Sequence, residues 1–322
     1  SVLQTPILQL GSLIILVLGF KELGGWDEMM RVCGAVTVND YGDTMTNLIR
    51  SNDDANFPWL GALIGSAIIG FWYWCTDQFI VQRVLSGKNE MEARRGTIFG
   101  AYLKLLPVFL FLIPGMIAFA LHQKYIGAGG EGFLPMLANG TANADAAFPT
   151  LVAKLLPAGV KGLVVCGILA ALMSSLASLF NSSAMLFTID FYKRFKPETP
   201  EKKLVGIGQI ATIVIVVLGI LWIPIMRSVG DVLYTYLQDV QSVLAPGIAA
   251  AFLLGICWKR TSAQGGMWGL ISGMVIGLTR LGAKVYYSNA GEVADSTFKY
   301  LFYDMNWLFF CGWMFLFLSL IH

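Results

Sequence analysis

The run Phe71-Trp72-Tyr73-Trp74-Cys75-Thr76-Asp77-Gln78 lies inside an apolar segment, 58–82, that is long enough to cross a bilayer. Four consecutive aromatics followed by Thr, Asp and Gln make a poor continuous lipid-facing helix. A carboxylate near the bilayer centre costs about 2.5–3.5 kcal/mol on insertion scales, so Asp77 is expected to face protein or a water-filled cavity. Backbone that departs from a regular helix at that depth is tolerated only where it lines such a cavity. Aromatic faces beside hydrogen-bonding groups suit a polar ring with apolar C–H patches. The run therefore points to a small-solute site within a membrane protein.

The rest of the chain reads as membrane too. Hydrophobic residues make up 56% and charged residues 13% of the 322 positions, against about 45–50% and 25% in soluble domains. Eight apolar segments can be marked, at 3–20, 58–82, 97–121, 158–190, 203–226, 232–257, 264–283 and 301–321. Each approaches the ~20 residues a spanning helix needs. We expect an all-α integral membrane protein of about eight transmembrane helices, with residues 1–322 forming one transmembrane domain.

Charge placement predicts the orientation. The short connections 83–96, 193–203 and 258–263 hold eleven of the 22 Lys and Arg residues, among them Arg83, Arg94, Arg95, Lys193, Arg194 and Lys259. Such loops stay in the cytoplasm. The longer loops 21–57 and 122–157 carry Asp27, Glu28, Asp40, Asp43, Asp53, Asp54, Glu131 and Asp145 and are expected outside. The net charge of +2 thus reports topology and gives no reason to expect a nucleic-acid partner. The five cysteines form no disulfide framework and no metal-ligand spacing appears, the only histidines being His122 and His322. Long outer loops without a cysteine pair lean towards a bacterial inner membrane. Ser1 opens almost directly onto an apolar helix, so the chain reads as an internal piece of a longer protein. No acid/base, nucleophile or metal constellation marks it as an enzyme.

Several polar residues stand out against the apolar background. Ala171, Ser174 and Ser175 fall at i, i+3 and i+4, on one helical face. Two hydroxyls and a carbonyl suit a hard cation, and small residues equally suit close packing of membrane helices. Lys104 sits deep in the third segment, where its stem does not easily reach a headgroup. Gln238, Asp239 and Gln241 require a wet or protein-buried face on the sixth segment.

Read together, these motifs resemble the sodium/glucose cotransporters of the solute:sodium symporter family. The likeness runs through Trp72–Gln78 with Val81-Gln82-Arg83, Tyr102-Leu103-Lys104-Leu105, Leu172–Asn181, Tyr236-Leu237-Gln238, and Pro246–Ala250 to Trp258-Lys259-Arg260, in family order over residues 70 to 260. The resemblance implies part of a LeuT-type inverted-repeat bundle: the last helix of repeat one, all of repeat two and two peripheral helices. It also implies that the first four core helices are missing.

The same likeness assigns roles. It makes Ala171, Ser174 and Ser175 the sodium ligands, joined in the family by carbonyls of the first core helix. Lys104 and Gln238 would hydrogen-bond sugar hydroxyls, Tyr73 would be the inner gate, Trp74 the platform under the ring, and Tyr234 a pocket wall. Gly70 departs from the family, which places Asn or Thr there to bond the sugar. Ala177, and Ser1 at the approximate place of an Asp, depart from the pattern of a second sodium site, so one coupling ion is implied. The expected partners are sodium, a glucose- or galactose-like monosaccharide and the lipid bilayer of the plasma membrane. The same machine carrying sialic acid, myo-inositol or a carboxylate, and a solute sensor that has lost transport, are the alternatives.

Overall fold

The computed structural model describes residues 4–137, 140–229, 233–289 and 295–321. Among them the fold is all-helical; the β-type pairings are the isolated bridges Thr37–Thr44 and Met136–Ala142. The helices are α1 (Gln4–Leu23), α2 (Trp26–Ala35), α3 (Trp59–Cys75), α4 (Gln78–Leu85), α5 (Glu90–Leu103), α6 (Ile113–Gly127) and α7 (Ala147–Leu155). They continue as α8 (Ala158–Met185), α9 (Lys193–Phe195), α10 (Glu201–Val229), α11 (Leu233–Cys257), α12 (Ala263–Asn289), α13 (Thr297–Lys299) and α14 (Trp307–Ser319). Short π-helical turns at Val108–Leu112, Leu186–Tyr192 and Tyr300–Asp304 join several of them.

Five helical runs are long and apolar enough to cross a membrane: Thr5–Leu23, Glu90–Gly127, Ala158–Phe195, Glu201–Pro224 and Leu233–Cys257. Two bent pairs raise the count to seven, Trp59–Cys75 with Gln78–Leu85 at 50° and Thr297–Asp304 with Trp307–Ser319 at 111°. Helix α12, the expected seventh segment, has the length and is not among them. The expected segment 301–321 is not one rod. Asn306 caps α14, its Oδ1 accepting from Leu308 N–H at 2.8 Å, and ends the preceding π turn in a sharp bend.

Contacts divide the chain into two compact units. The first holds residues 1–38, 44–46 and 87–224. In it α1 packs on α6, α7 and α8 around Ile15, Ile117, Leu121, Leu151 and Val164. Cys33 belongs to this core, its Sγ 3.7 Å from the Met116 carbonyl, and burial pushes its thiol up from the ordinary value. The second unit holds 39–43, 47–86 and 225–322, with α3, α11, α12 and α14 packed together. Glycines set the spacing there. A Cβ on Gly65 would lie 2.7 Å from the Leu308 carbonyl oxygen, and one on Gly277 2.8 Å from that of Val243. Those α3–α14 and α12–α11 backbones are therefore as close as small residues permit.

The outer loop of this unit is tied by its own polar side chains. Asn39 Nδ2 donates to Asp43 and to Asp54, at 2.9 Å each, and Asn306 Nδ2 donates to the Ala55 carbonyl at 2.6 Å. Burial pushes the Asp54 carboxyl up, but hydrogen bonds from Phe57, Asn39 and Asn56 and the charge of Arg50 outweigh that and leave it below its usual value.

Candidate functional site

The break after the aromatic run is built by its own residues. The Trp72 carbonyl accepts from Thr76 N–H at 3.0 Å, Asp77 N–H at 3.2 Å and Thr76 Oγ1 at 2.7 Å, which closes α3. Asp77 then caps α4 through its Oδ1, which accepts from Phe79 N–H at 3.0 Å. The acidic residue that made this segment conspicuous is thus consumed locally, satisfying a helix end that lipid could not satisfy.

Gly70, Tyr73 and Trp74 occupy the last turns of α3 before this break. Tyr73 and Trp74 meet edge to face with ring centroids 5.1 Å apart, and Trp74 stays 48% exposed. Space around Gly70 is open; nothing lies within 4 Å of where a Cβ would stand. On α11, which packs on α3 in the same unit, Gln238 Nε2 donates to the Tyr234 hydroxyl at 3.1 Å. One helical turn separates the two, so they share a face. Five of the six predicted solute residues therefore stand on two neighbouring helices but at different levels: the Tyr234 ring lies 6.4 Å from that of Phe57, just before α3, whereas Gly70, Tyr73 and Trp74 stand in its last turns.

Lys104 belongs to the first unit. It caps the C-terminus of α5 in the middle of the Glu90–Gly127 run, just before Pro107 and a π turn, and is exposed. Ala171, Ser174 and Ser175 lie in the unbroken part of α8. Ala171 and Ser175 line a cavity of about 330 Å³ with Leu8 and Ser12 of α1, Phe111 and Phe148. Ser174 offers its hydroxyl, while its carbonyl accepts from Ser178 Oγ at 3.0 Å. Two hydroxyls on an intact helix are too few oxygens for a complete cation cage. Ser1, set against the second-site aspartate, lies outside the described residues. Among the described residues no group of three or more His, Cys, Asp or Glu side chains is placed to hold a metal.

Sequence reasoning missed Ser12, 2% exposed and facing the cavity beside Ser175. It also missed that Asp239 is held by two cations of α12, Arg280 and Lys284. A polar residue inside an apolar stretch was the signal in each case, but its partner lies in a different helix.

Apolar helices of spanning length, packed through glycines and broken where polar residues cluster, define a multi-pass membrane protein. The family model "Sodium:solute symporter family" matches residues 1–273, and the chain belongs to that family. It is 37% identical to sodium/myo-inositol cotransporter 2 of Homo sapiens over 290 residues, 87% of this chain and 43% of the relative. It is 38% identical over 290 residues to the sodium/mannose cotransporter SLC5A10 of Bos taurus, covering 87% and 49%. Sodium/glucose cotransporter 4 of Mus musculus is 37% identical over 297 residues, covering 89% and 43%. The chain spans about half the length of the curated relatives it matches.

Proposed function

We propose that this chain, within the whole transporter, carries out sodium-coupled import of a monosaccharide by alternating access. One sodium is held at Ala171, Ser174 and Ser175 and one sugar at Tyr73, Trp74, Lys104, Tyr234 and Gln238. The observation that supports the reading is the hydrogen-bonded Tyr234–Gln238 pair on α11, which packs on α3, the helix that ends in Tyr73 and Trp74. The pair stands towards the start of α3, where the Tyr234 ring lies 6.4 Å from that of Phe57, and the exposed Trp74 stands at its other end. Hydrogen-bonding groups and aromatic faces are what a polyhydroxylated ring takes. The relatives' names speak of glucose, mannose and myo-inositol, all neutral polyols, which favours such a ring over sialic acid or another carboxylate. Open space at Gly70 keeps myo-inositol as the second reading.

Coupling makes energetic sense. One charge moving through 100 mV gains ~2.3 kcal/mol, and a tenfold sodium gradient adds ~1.4 kcal/mol. Together they sustain accumulation of a few hundred-fold, on the order of what ~3.7 kcal/mol allows. The complete protein in proteoliposomes is expected to take up labelled glucose only with an inward sodium gradient, and unlabelled mannose or myo-inositol should compete where sialic acid does not. Uptake that persists without sodium would overturn the reading.

The site belongs in the plasma membrane, that of a bacterium, with loops 83–96, 193–203 and 258–263 cytoplasmic. Single cysteines at Lys88 and Asp145, in a background whose own cysteines are replaced, should react with an impermeant thiol reagent from opposite sides. Reaction from one side would reject this topology.

A further inference from the structure

The second unit buries a charge cluster beside the solute pair. Arg280 of α12 is 0% exposed, the largest fully buried side chain among the described residues. One terminal nitrogen lies 3.4 Å from Asp239 Oδ1 and 2.7 Å from the Met305 carbonyl; the other donates to the Leu301 carbonyl at 3.2 Å. The guanidinium stacks over the Phe310 ring at 4.0 Å. Lys284, one turn along α12, pairs with Asp239 Oδ2 at 2.5 Å. Both oxygens of one carboxylate are thus held by two cations from the same helix. One of those cations is itself anchored on carbonyls of the Tyr300–Asp304 turn and of Met305 at the bend before α14.

Charges at membrane depth persist only when compensated, and breaking one partner of a buried pair costs far more than the pair contributes. The cluster is therefore a rigid strut rather than a sliding contact. Asp239 is the residue after Gln238, and a side chain fixed at both oxygens fixes the rotation of its helix about its axis. The strut is needed because α11 carries Pro246 in its interior. Proline cannot donate the backbone bond to the carbonyl four residues back, that of Ser242. Beyond that gap the orientation of the first half of α11 is only loosely set by the second.

We propose that Asp239 is a positioning residue for solute binding: through Arg280 and Lys284 it holds α11 in the rotation that presents Tyr234 and Gln238. The inference rests on the sugar-site reading above. Asp239 touches no solute in this scheme; it acts through Gln238.

The test measures labelled glucose binding at saturating sodium to the purified complete protein, where affinity is independent of how much protein folds. Asp239→Asn alone leaves the buried Arg280 and the half-buried Lys284 uncompensated, so it is combined with Lys284→Gln, which restores the cluster's net charge of +1. That pair should weaken glucose binding tenfold or more and leave sodium binding without solute within twofold. Adding Gln238→Ala should then weaken binding little further, because a misplaced Gln238 has already lost its bond. A purely structural role would move neither affinity in the folded fraction. Should the pair yield no folded protein, Asp239→Glu, with the same charge on a longer arm, carries the same expectation. Wild-type glucose affinity in the variant that folds, with Gln238→Ala still weakened, overturns the inference and leaves the sugar site standing. Full additivity with Gln238→Ala overturns it as well. Absence of glucose binding in the wild type overturns the site reading and this inference together.

Discussion

Replacing Ser174 by Ala in the complete transporter is expected to raise the sodium concentration for half-maximal uptake by about tenfold to a hundredfold. A hydroxyl oxygen on a cation is a bond to a charged group, worth about 1.5–3 kcal/mol, and each 1.4 kcal/mol is tenfold in affinity. Ser175→Ala should do the same, since Ser175 lines the cavity between α8 and α1. Ser178→Ala is the control: its hydroxyl is spent on the Ser174 carbonyl at 3.0 Å, so the sodium requirement should change little. With Ala at position 177, sodium dependence should show a Hill coefficient near one, and a reversal-potential measurement one sodium per solute. Two sodium ions per solute would mean that Ser178 and groups outside this chain build a second site. Unchanged sodium affinity in both Ser174→Ala and Ser175→Ala would return these residues to helix packing.

How far the sequence carries this picture depends on whether the cause is local. Apolar length places Ala158–Phe195 and Leu233–Cys257 almost where 158–190 and 232–257 were expected, because lipid forces backbone bonds inside one segment. The break at Thr76–Asp77 is legible for the same reason: both its closing hydroxyl and its capping carboxylate are neighbours in sequence. The 111° bend at Met305 is hidden by the apolar residues around it, although the Asn306 cap marks it locally. Asp239 shows why other features stay illegible. The sequence marks it as polar at membrane depth, but its partners Arg280 and Lys284 stand on the next helix, and only packing of α11 on α12 brings them within reach. The roles proposed for Lys104, Ser174 and Ser175 likewise rest on the family likeness. Periodicity alone leaves such residues as packing or snorkelling side chains.

For the solute, Gln238→Ala or Lys104→Ala in the complete protein is expected to weaken sugar affinity about tenfold or more. Each substitution strands a hydroxyl of a desolvated solute without its partner, a loss of about 1–3 kcal/mol. Sodium affinity measured without sugar should change far less. Gln238 has a second tie that sharpens the test, because its Nε2 donates to the Tyr234 hydroxyl at 3.1 Å. If that bond serves to aim Gln238 at the solute, Tyr234→Phe should reproduce part of the Gln238→Ala loss, and the double substitution should cost less than the sum of the two. Additive losses would mean that the two side chains contact the solute independently. The opposite sign is expected at Gly70. A Cβ there would meet no atom within 4 Å, so Gly70→Asn should be accommodated at the helix and strengthen binding of a galactose-like sugar by adding one hydrogen bond. Wild-type sugar affinity in Lys104→Ala and Gln238→Ala together, measured on folded protein by equilibrium binding, would show that these polar groups hold helices and not sugar.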